Sequence, residues 1–242
     1  MLIEEGHAKT AKAYILYRQK RSEIREEKRK VLDKEEIDEV DKRFDVNALR
    51  VLKARYLRKD KYGKTVESPK QLFERVAIHV GLPDILYDEK FFNLKGGETE
   101  RPIEFFDPLV EEGKLAIGEY QLNRYHLEAL HRMYLRFNRG GQMKTSWNGV
   151  MDAIKNGALD NYEQTIRRYY DLMVSKQFMP NTPALANFGN PLGMGSACFV
   201  LNVEDSLEGI MDVLKNTSIV FKAGGGMGYN FSKLRPEGDF VS

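Results

Sequence analysis

The sequence predicts an α+β protein: a long all-helical stretch followed by a single strand-helix-strand unit. Three observations carry this expectation. Apolar residues recur at helical spacing in successive blocks between residues 40 and 180. Two prolines in Met179-Pro180-Asn181-Thr182-Pro183 then break that pattern and force extended backbone around them. Beyond them, residues 196–203 read as a buried strand, the stretch after Asp205 as an amphipathic helix, and residues 229–234 as a second strand.

Composition narrows the class. The 242 residues are 42% hydrophobic and 31% charged, a globular balance with enough length for one or two cores. A net charge of +2 demands neither nucleic acid nor an acidic membrane as partner. The single cysteine, Cys198, excludes an intramolecular disulfide and a multi-cysteine zinc site, and fits a reducing compartment. The opening Met-Leu-Ile-Glu-Glu has no signal-peptide character, and no apolar run reaches the roughly 18 residues of a membrane span. A soluble, cytoplasmic protein is expected.

Residues 8–30 have a helical pattern. Between Arg18 and Arg43, 19 of the 26 residues are charged with both signs interleaved, which reads as a solvated helix and linker. A second helix is expected over 47–59 with Leu49, Leu52 and Tyr56 on one face. Tyr62-Gly63-Lys64 is a turn. Ser68-Pro69 then starts a helix that buries Leu72, Val76 and Val80 and ends at Gly81-Leu82-Pro83. Residues 120–137 repeat the pattern through Leu122, Leu130, Met133 and Phe137. Residues 161–178 do so through Ile166, Tyr169, Leu172 and Met173. His79, His126 and His131 lack ligand spacing for a metal and are expected at surface or half-buried positions. Loop residues are expected from Pro183 to Gly195. Asp205, with Glu208 three positions on, makes a capping-box start for the next helix. Its inner stripe is Leu207, Ile210, Met211, Leu214, Ser218 and Phe221, with Gly224 as its stop.

The run Lys222-Ala223-Gly224-Gly225-Gly226-Met227-Gly228-Tyr229 is neither of the familiar phosphate loops. A dinucleotide fingerprint would need glycine at 229 or 231, which are Tyr and Phe, and a P-loop would need Gly-Lys-Ser/Thr. Its glycines permit positive φ or close backbone approach, but also suit a plain helix stop. Cys198 by itself suits a packed strand as well as chemistry. Asp205 as a cap and Arg235 as a surface residue require no function either.

Taken in order, these residues resemble one family. Pro180-Asn181-Thr182-Pro183, Ser196-Ala197-Cys198, Asp205-Ser206-Leu207, the 224–228 loop and Arg235-Pro236 are similar to the start of the ribonucleotide reductase catalytic barrel. AYILYRQKR at 13–21 resembles the tail of that family's ATP-cone, and the run from Asn47 to Leu57 its helical domain. The resemblance implies a truncated cone and linker at 1–35, a helical domain at 36–180, and the first strand-helix-strand of an incomplete ten-stranded α/β barrel at 181–242. NTPALANFGNPLGMGSACFVLNVEDSLEG most resembles the adenosylcobalamin-dependent, class II members.

By resemblance the complete enzyme reduces ribonucleotides to 2′-deoxyribonucleotides by thiyl-radical chemistry for DNA synthesis. Cys198 is then one of its redox cysteine pair, with the other cysteines supplied by a missing C-terminal part. Thr182, Ala197 and Gly226 match substrate-binding positions. Asp205 and Arg235 match the site for a deoxynucleoside triphosphate or ATP effector. Adenosylcobalamin, a thioredoxin-like or other dithiol reductant and a homodimeric assembly are implied for the complete enzyme, and no membrane or nucleic-acid partner. Two alternatives stand beside this reading. One is a class I large subunit with a separate radical subunit; the other is a non-catalytic helical module that binds a nucleotide or partner.

Overall fold

The charge-rich start of the chain is one continuous helix, α1 (Ala8–Leu32). The computed structural model describes residues 8–239, so the expectations for the first residues, and for 240–242 as part of the barrel, lie outside the described residues. The chain divides into two compact units. One contains residues up to Phe73 with Val174–Gln177; the other contains Glu74–Met173 and the residues from Phe178 onward.

In the first unit α1 is followed by α2 (Glu39–Arg43), α3 (Val46–Arg55) and the first turn of α4 (Pro69–Leu86). The charge run is not solvated throughout, because Lys28 and Asp41 are buried. Lys28 Nζ donates to the carbonyls of Asp41 at 2.8 Å and Lys42 at 3.1 Å, satisfying two acceptors at the C-terminal end of α2. Asp38 and Asp41 form a reciprocal capping box, and Lys34 reaches both carboxylates. Leu49 and Leu52 are buried as expected on α3. That helix ends at Arg55, earlier than expected, because the chain folds back through a turn that pairs Lys59 with Thr65, with Gly63 at φ 80°.

The second unit carries the rest of α4, then α5 (Pro108–Glu111), β1 (Ala116–Ile117), β2 (Tyr120–Gln121), α6 (Arg124–Arg139), α7 (Trp147–Lys155) and α8 (Glu163–Val174). These are followed by α9 (Thr182–Asn187), β3 (Cys198–Asn202), α10 (Leu207–Lys222) and β4 (Gly226–Asn230). Its helical core includes Ile78, Leu82, Ile85 and Leu86 of α4, with Leu127, Leu130 and Tyr134 of α6, Trp147 and Val150 of α7, and Ile166 of α8.

Several expectations are corrected here. Gly81-Leu82-Pro83 does not end α4, which runs on to Leu86 with Pro83 inside it. Leu82, Ile85 and Leu86 are almost fully enclosed, and their burial offsets the roughly 3 kcal/mol that an internal proline costs. Gly81 serves packing instead: a Cβ there would lie 2.9 Å from Ile166 Cγ1. Residues 116–121 form a small antiparallel hairpin rather than helix, so the region 40–180 is not wholly helical. Asn123 starts α6 by accepting from the amides of Tyr125 and His126. His126 is fully buried, neither at the surface nor half-buried as expected. On α8, Leu172 is exposed, since the buried positions are Ile166, Met173 and Val174.

The segment expected to be loop contains α9, with Asn181 as N-cap and Pro183 in the first turn, where a missing N–H costs nothing. Beyond it, β3 and β4 pair in parallel, with Cys198 opposite Gly226 and Asn202 opposite Asn230. The second strand therefore begins inside the glycine run, ahead of the expected 229. β3 is not a buried strand: Cys198, Val200 and Asn202 are exposed on one face, while Phe199 and Leu201 are partly covered. α10 is capped by Ser206, whose hydroxyl accepts from Gly209 N, rather than by Asp205. Its covered positions are Gly209, Val213, Thr217 and Val220, and the expected inner stripe of Leu207, Ile210, Met211, Leu214, Ser218 and Phe221 is exposed.

Candidate active-site strand and effector rim

The parallel pair of strands presents two different faces. On one side, Tyr229 Oη is 3.1 Å from Thr217 Oγ1 of α10, and Phe199 lies beside Val220 near Gly225. The opposite face carries Cys198, Val200 and Asn202 on β3 beside Gly226, Gly228 and Asn230 on β4. Cys198 on this face has a free, exposed thiol. The backbone around it is tightly tied, with Gly226 N donating to Ala197 O at 2.6 Å.

The glycines of the 224–228 run have separate causes. Gly224 lies at φ 84°, a left-handed position just after the C-cap of α10. Gly225 is packed: a Cβ would come within 2.8 Å of Val220 Cγ1. Neither reason applies to Gly226 and Gly228. Their φ values are not positive, and a Cβ at either would meet its nearest heavy atoms at 3.6 and 3.7 Å, ordinary contact. On a strand, where glycine is otherwise unfavourable, two side-chain-free positions beside an exposed thiol leave room for something to approach the backbone.

Asp205 and Arg235 follow β3 and β4, and Arg235 Nε donates to Asp205 Oδ2 at 2.7 Å. The structure thus brings both expected effector residues to one rim, partly exposed. A second pair, Lys233 with Glu204 at 2.5 Å, lies beside them in sequence. Cys198 begins β3 and Asn202 ends it, a separation of about 13 Å at ~3.3 Å per residue, so the thiol and the rim are distinct places.

Thr182 is exposed in the first turn of α9. Two asparagines of this segment hold the chain that leads to Cys198: Asn181 Nδ2 donates to Gly195 O and Asn187 Nδ2 to Met194 O, each at 3.0 Å. The other end of α9 is held by residues that the sequence pattern did not single out. Arg75 donates to the carbonyls of Leu185 and Phe188, and His79 Nδ1 accepts from Gly189 N at 3.2 Å. Burial, helped by the Arg75 cation, pushes the His79 pKa down to about 4, so it remains a neutral acceptor. Asn181 before Thr-Pro is a cap signal that the loop expected here passed over; the long-range partners of Arg75 and His79 had no local signal.

No group of three or more His, Cys, Asp or Glu side chains among the described residues is placed to hold a metal ion. No helix among them is long and apolar enough to cross a membrane.

Comparison with known proteins agrees with this architecture. Residues 42–113 and 120–193 match the ribonucleotide reductase all-alpha domain, and residues 196–242 the ribonucleotide reductase barrel domain. The chain belongs to the ribonucleotide reductase large-chain family. Among its relatives is a vitamin B12-dependent ribonucleoside-diphosphate reductase of Thermoplasma acidophilum, 40% identical over 96% of this chain and 28% of the relative. A protein of the same description from Mycobacterium tuberculosis is 36% identical over 51% of this chain and 19% of the relative. The ribonucleoside-diphosphate reductase large chain of Neurospora crassa is 29% identical over 51% and 13%. The chain thus spans little more than a quarter of the Thermoplasma relative's length, from its helical domain into its barrel domain.

Proposed function

We propose that this chain supplies the helical domain and first barrel strands of an adenosylcobalamin-dependent ribonucleoside-diphosphate reductase. The observation that carries the reading is the exposed Cys198 thiol, set in register with Gly226 on the open face of the sheet.

In this reading the ribose lies over that face. Cys198 and a second cysteine, from outside this chain, together give up two electrons and two protons and end as a disulfide. The 2′-hydroxyl leaves as water and a hydrogen takes its place at C2′. A dithiol such as a thioredoxin-like protein then reduces the disulfide. Thr182 contacts substrate phosphate, and the backbone at Ala197 and Gly226 borders the pocket. Asp205 and Arg235 read a deoxynucleoside triphosphate or ATP effector: a carboxylate suits a ribose hydroxyl and a guanidinium suits phosphate. The exposed apolar residues Ile210, Met211 and Leu214 of α10 are covered in the homodimer of the complete enzyme.

Adenosylcobalamin supplies the radical when bound. The described histidines do not fit it as cobalt ligands. Nδ1 of His79 is taken by Gly189, both ring nitrogens of His126 are engaged by Arg75 and Asn123, and His131 is enclosed against Trp147 and Phe106. In this reading the described site residues act on nucleotide and thiol.

The test is Cys198→Ser in the complete enzyme. Serine is close in size but cannot join a disulfide, so circular dichroism should be unchanged while multiple turnover is lost. Turnover near the wild-type rate would show that Cys198 takes no part in the redox chemistry and end this reading.

A further inference from the structure

We propose that Arg75 and His79 of α4 are positioning residues that set the path of α9 and of the segment entering β3, and so place Thr182 and Cys198. The proposal rests on the roles given to those two residues above.

The clamp is built from buried and half-buried polar groups aimed at one short helix and its exit turn. Arg75 is 4% exposed, and its guanidinium takes the carbonyls of Leu185 and Phe188, acceptors that the end of α9 cannot satisfy internally. The His79 ring stacks on Phe188 with centroids 4.5 Å apart while its Nδ1 accepts from Gly189 N. Asn123 Nδ2 donates to Gly189 O at 3.0 Å, so side chains take both backbone groups of this glycine. His126 Nε2 donates to the backbone carbonyl of Arg75 at 2.9 Å, and its Nδ1 accepts from Asn123 N, joining the two holding elements.

Only glycine passes through this point. Gly189 lies at φ 68°, and a Cβ on it would come within 2.5 Å of both Arg75 Cγ and His126 Nε2. From the other side of α9, Asn181 and Asn187 hold Gly195 and Met194, a few residues before Cys198. Hydrogen bonds from α4 and from α9 therefore hold the chain on both sides of α9, up to Gly195, three residues before Cys198. Burying an arginine and the His126 imidazole is costly unless each is partnered, and here the partners belong to the α9 segment or to the groups that hold it.

The experiment compares His79→Ala with His79→Asn, whose Oδ1 keeps an acceptor near the place of Nδ1. Amide hydrogen exchange is read by NMR in this chain without nucleotide, and KM and kcat for the ribonucleotide in the complete enzyme. His79→Ala should speed exchange at Gly189 and also at residues 195–198 by about tenfold or more, and raise KM about tenfold with a smaller change in kcat. His79→Asn should restore both. Asn187→Ala, which leaves the helical core intact, should speed exchange at 195–198 but not at Gly189.

An exchange change confined to Gly189, an unchanged KM, or an Asn variant that behaves like Ala would overturn the proposal and leave the reductase reading standing. Normal turnover of Cys198→Ser would overturn the reductase reading, and the nucleotide-free exchange data would still report the mechanical coupling.

Discussion

Arg235 Nε donates to Asp205 Oδ2 at 2.7 Å, joining the segment after β3 to the segment after β4 across the end of the sheet. Both side chains are about 30% exposed, so the pair is partly screened. Breaking it should cost the fold less than about 1 kcal/mol, measured by denaturation of Arg235→Ala. Effector binding should suffer more. Loss of a hydrogen bond to a charged group, about 1.5–3 kcal/mol, corresponds to roughly a ten- to hundredfold weaker effector. In the complete enzyme, Arg235→Ala should blunt the effector-driven choice of base while some basal reduction remains. Assays of all four ribonucleotides with and without each effector check this, and an unchanged pattern would remove the effector assignment.

The purified 242-residue chain should show no sustained deoxynucleotide formation with adenosylcobalamin and a dithiol. Its one cysteine cannot both carry a radical and form the disulfide that reduction requires. The same thiol is exposed, so a thiol reagent should titrate one group per chain without denaturant. A thiol that reacts only after unfolding would contradict the open face described above.

Trp147 is the largest fully buried side chain, packed against His131, Tyr134 and Phe106. Trp147→Ala should lose about 3–5 kcal/mol in urea denaturation. Its indole Nε1 is buried without an acceptor, so Trp147→Phe should cost clearly less: it removes an unsatisfied donor along with volume.

Gly81 and Ile166 approach too closely for a methyl group between them. Gly81→Ala should destabilise by about 1–3 kcal/mol despite its better helix propensity. Pairing it with Ile166→Val should recover part of that loss, giving a double mutant more stable than the sum of the single changes predicts. Additive effects would show that α4 and α8 do not meet closely here.

His79 should make stability fall in acid. Its pKa is about 4 in the fold against an ordinary 6.5, so between these values the unfolded chain binds a proton that the folded chain does not. The contribution is complete above about pH 6.5 and is lost as the pH falls toward 4, with a slope of at most ~1.4 kcal/mol per pH unit. Urea denaturation at pH 7, 6 and 5 should show this component in the wild type and not in His79→Asn. An identical pH profile for the two would contradict the half-buried, neutral imidazole.

Local signals in the sequence were sufficient for much of the architecture. The apolar blocks of the helical region, the turn at Gly63 and the helix stop at Gly224 depend on near neighbours, and so they were legible. The order strand, helix, strand after Gly195 was legible as well, because period-2 and period-3.6 patterns and cap residues act within a few residues. The presence of a lone cysteine and glycine run together was equally plain.

What only the tertiary structure decided are the pairings between distant residues. The apolar face of α10 spans about half its circumference, so its periodicity could not say that Val213, Thr217 and Val220 meet the sheet while Leu207, Ile210 and Leu214 do not. Gly226 and Gly228 are poor strand formers, and they lie in β4 because β3 offers a ladder in register. α4 continues through Pro83 because the burial of Leu82, Ile85 and Leu86 outweighs a local penalty. Arg75 and His79 meet the α9 segment more than 100 residues away, and Lys28 meets the end of α2, because carbonyls and amides left over at helix ends and turns must find partners once buried. Helix and strand are specified by neighbours along the chain; which face is buried, and which residues meet at Cys198 and at the Asp205–Arg235 rim, is specified by long-range packing and hydrogen bonding that exist only in the folded chain.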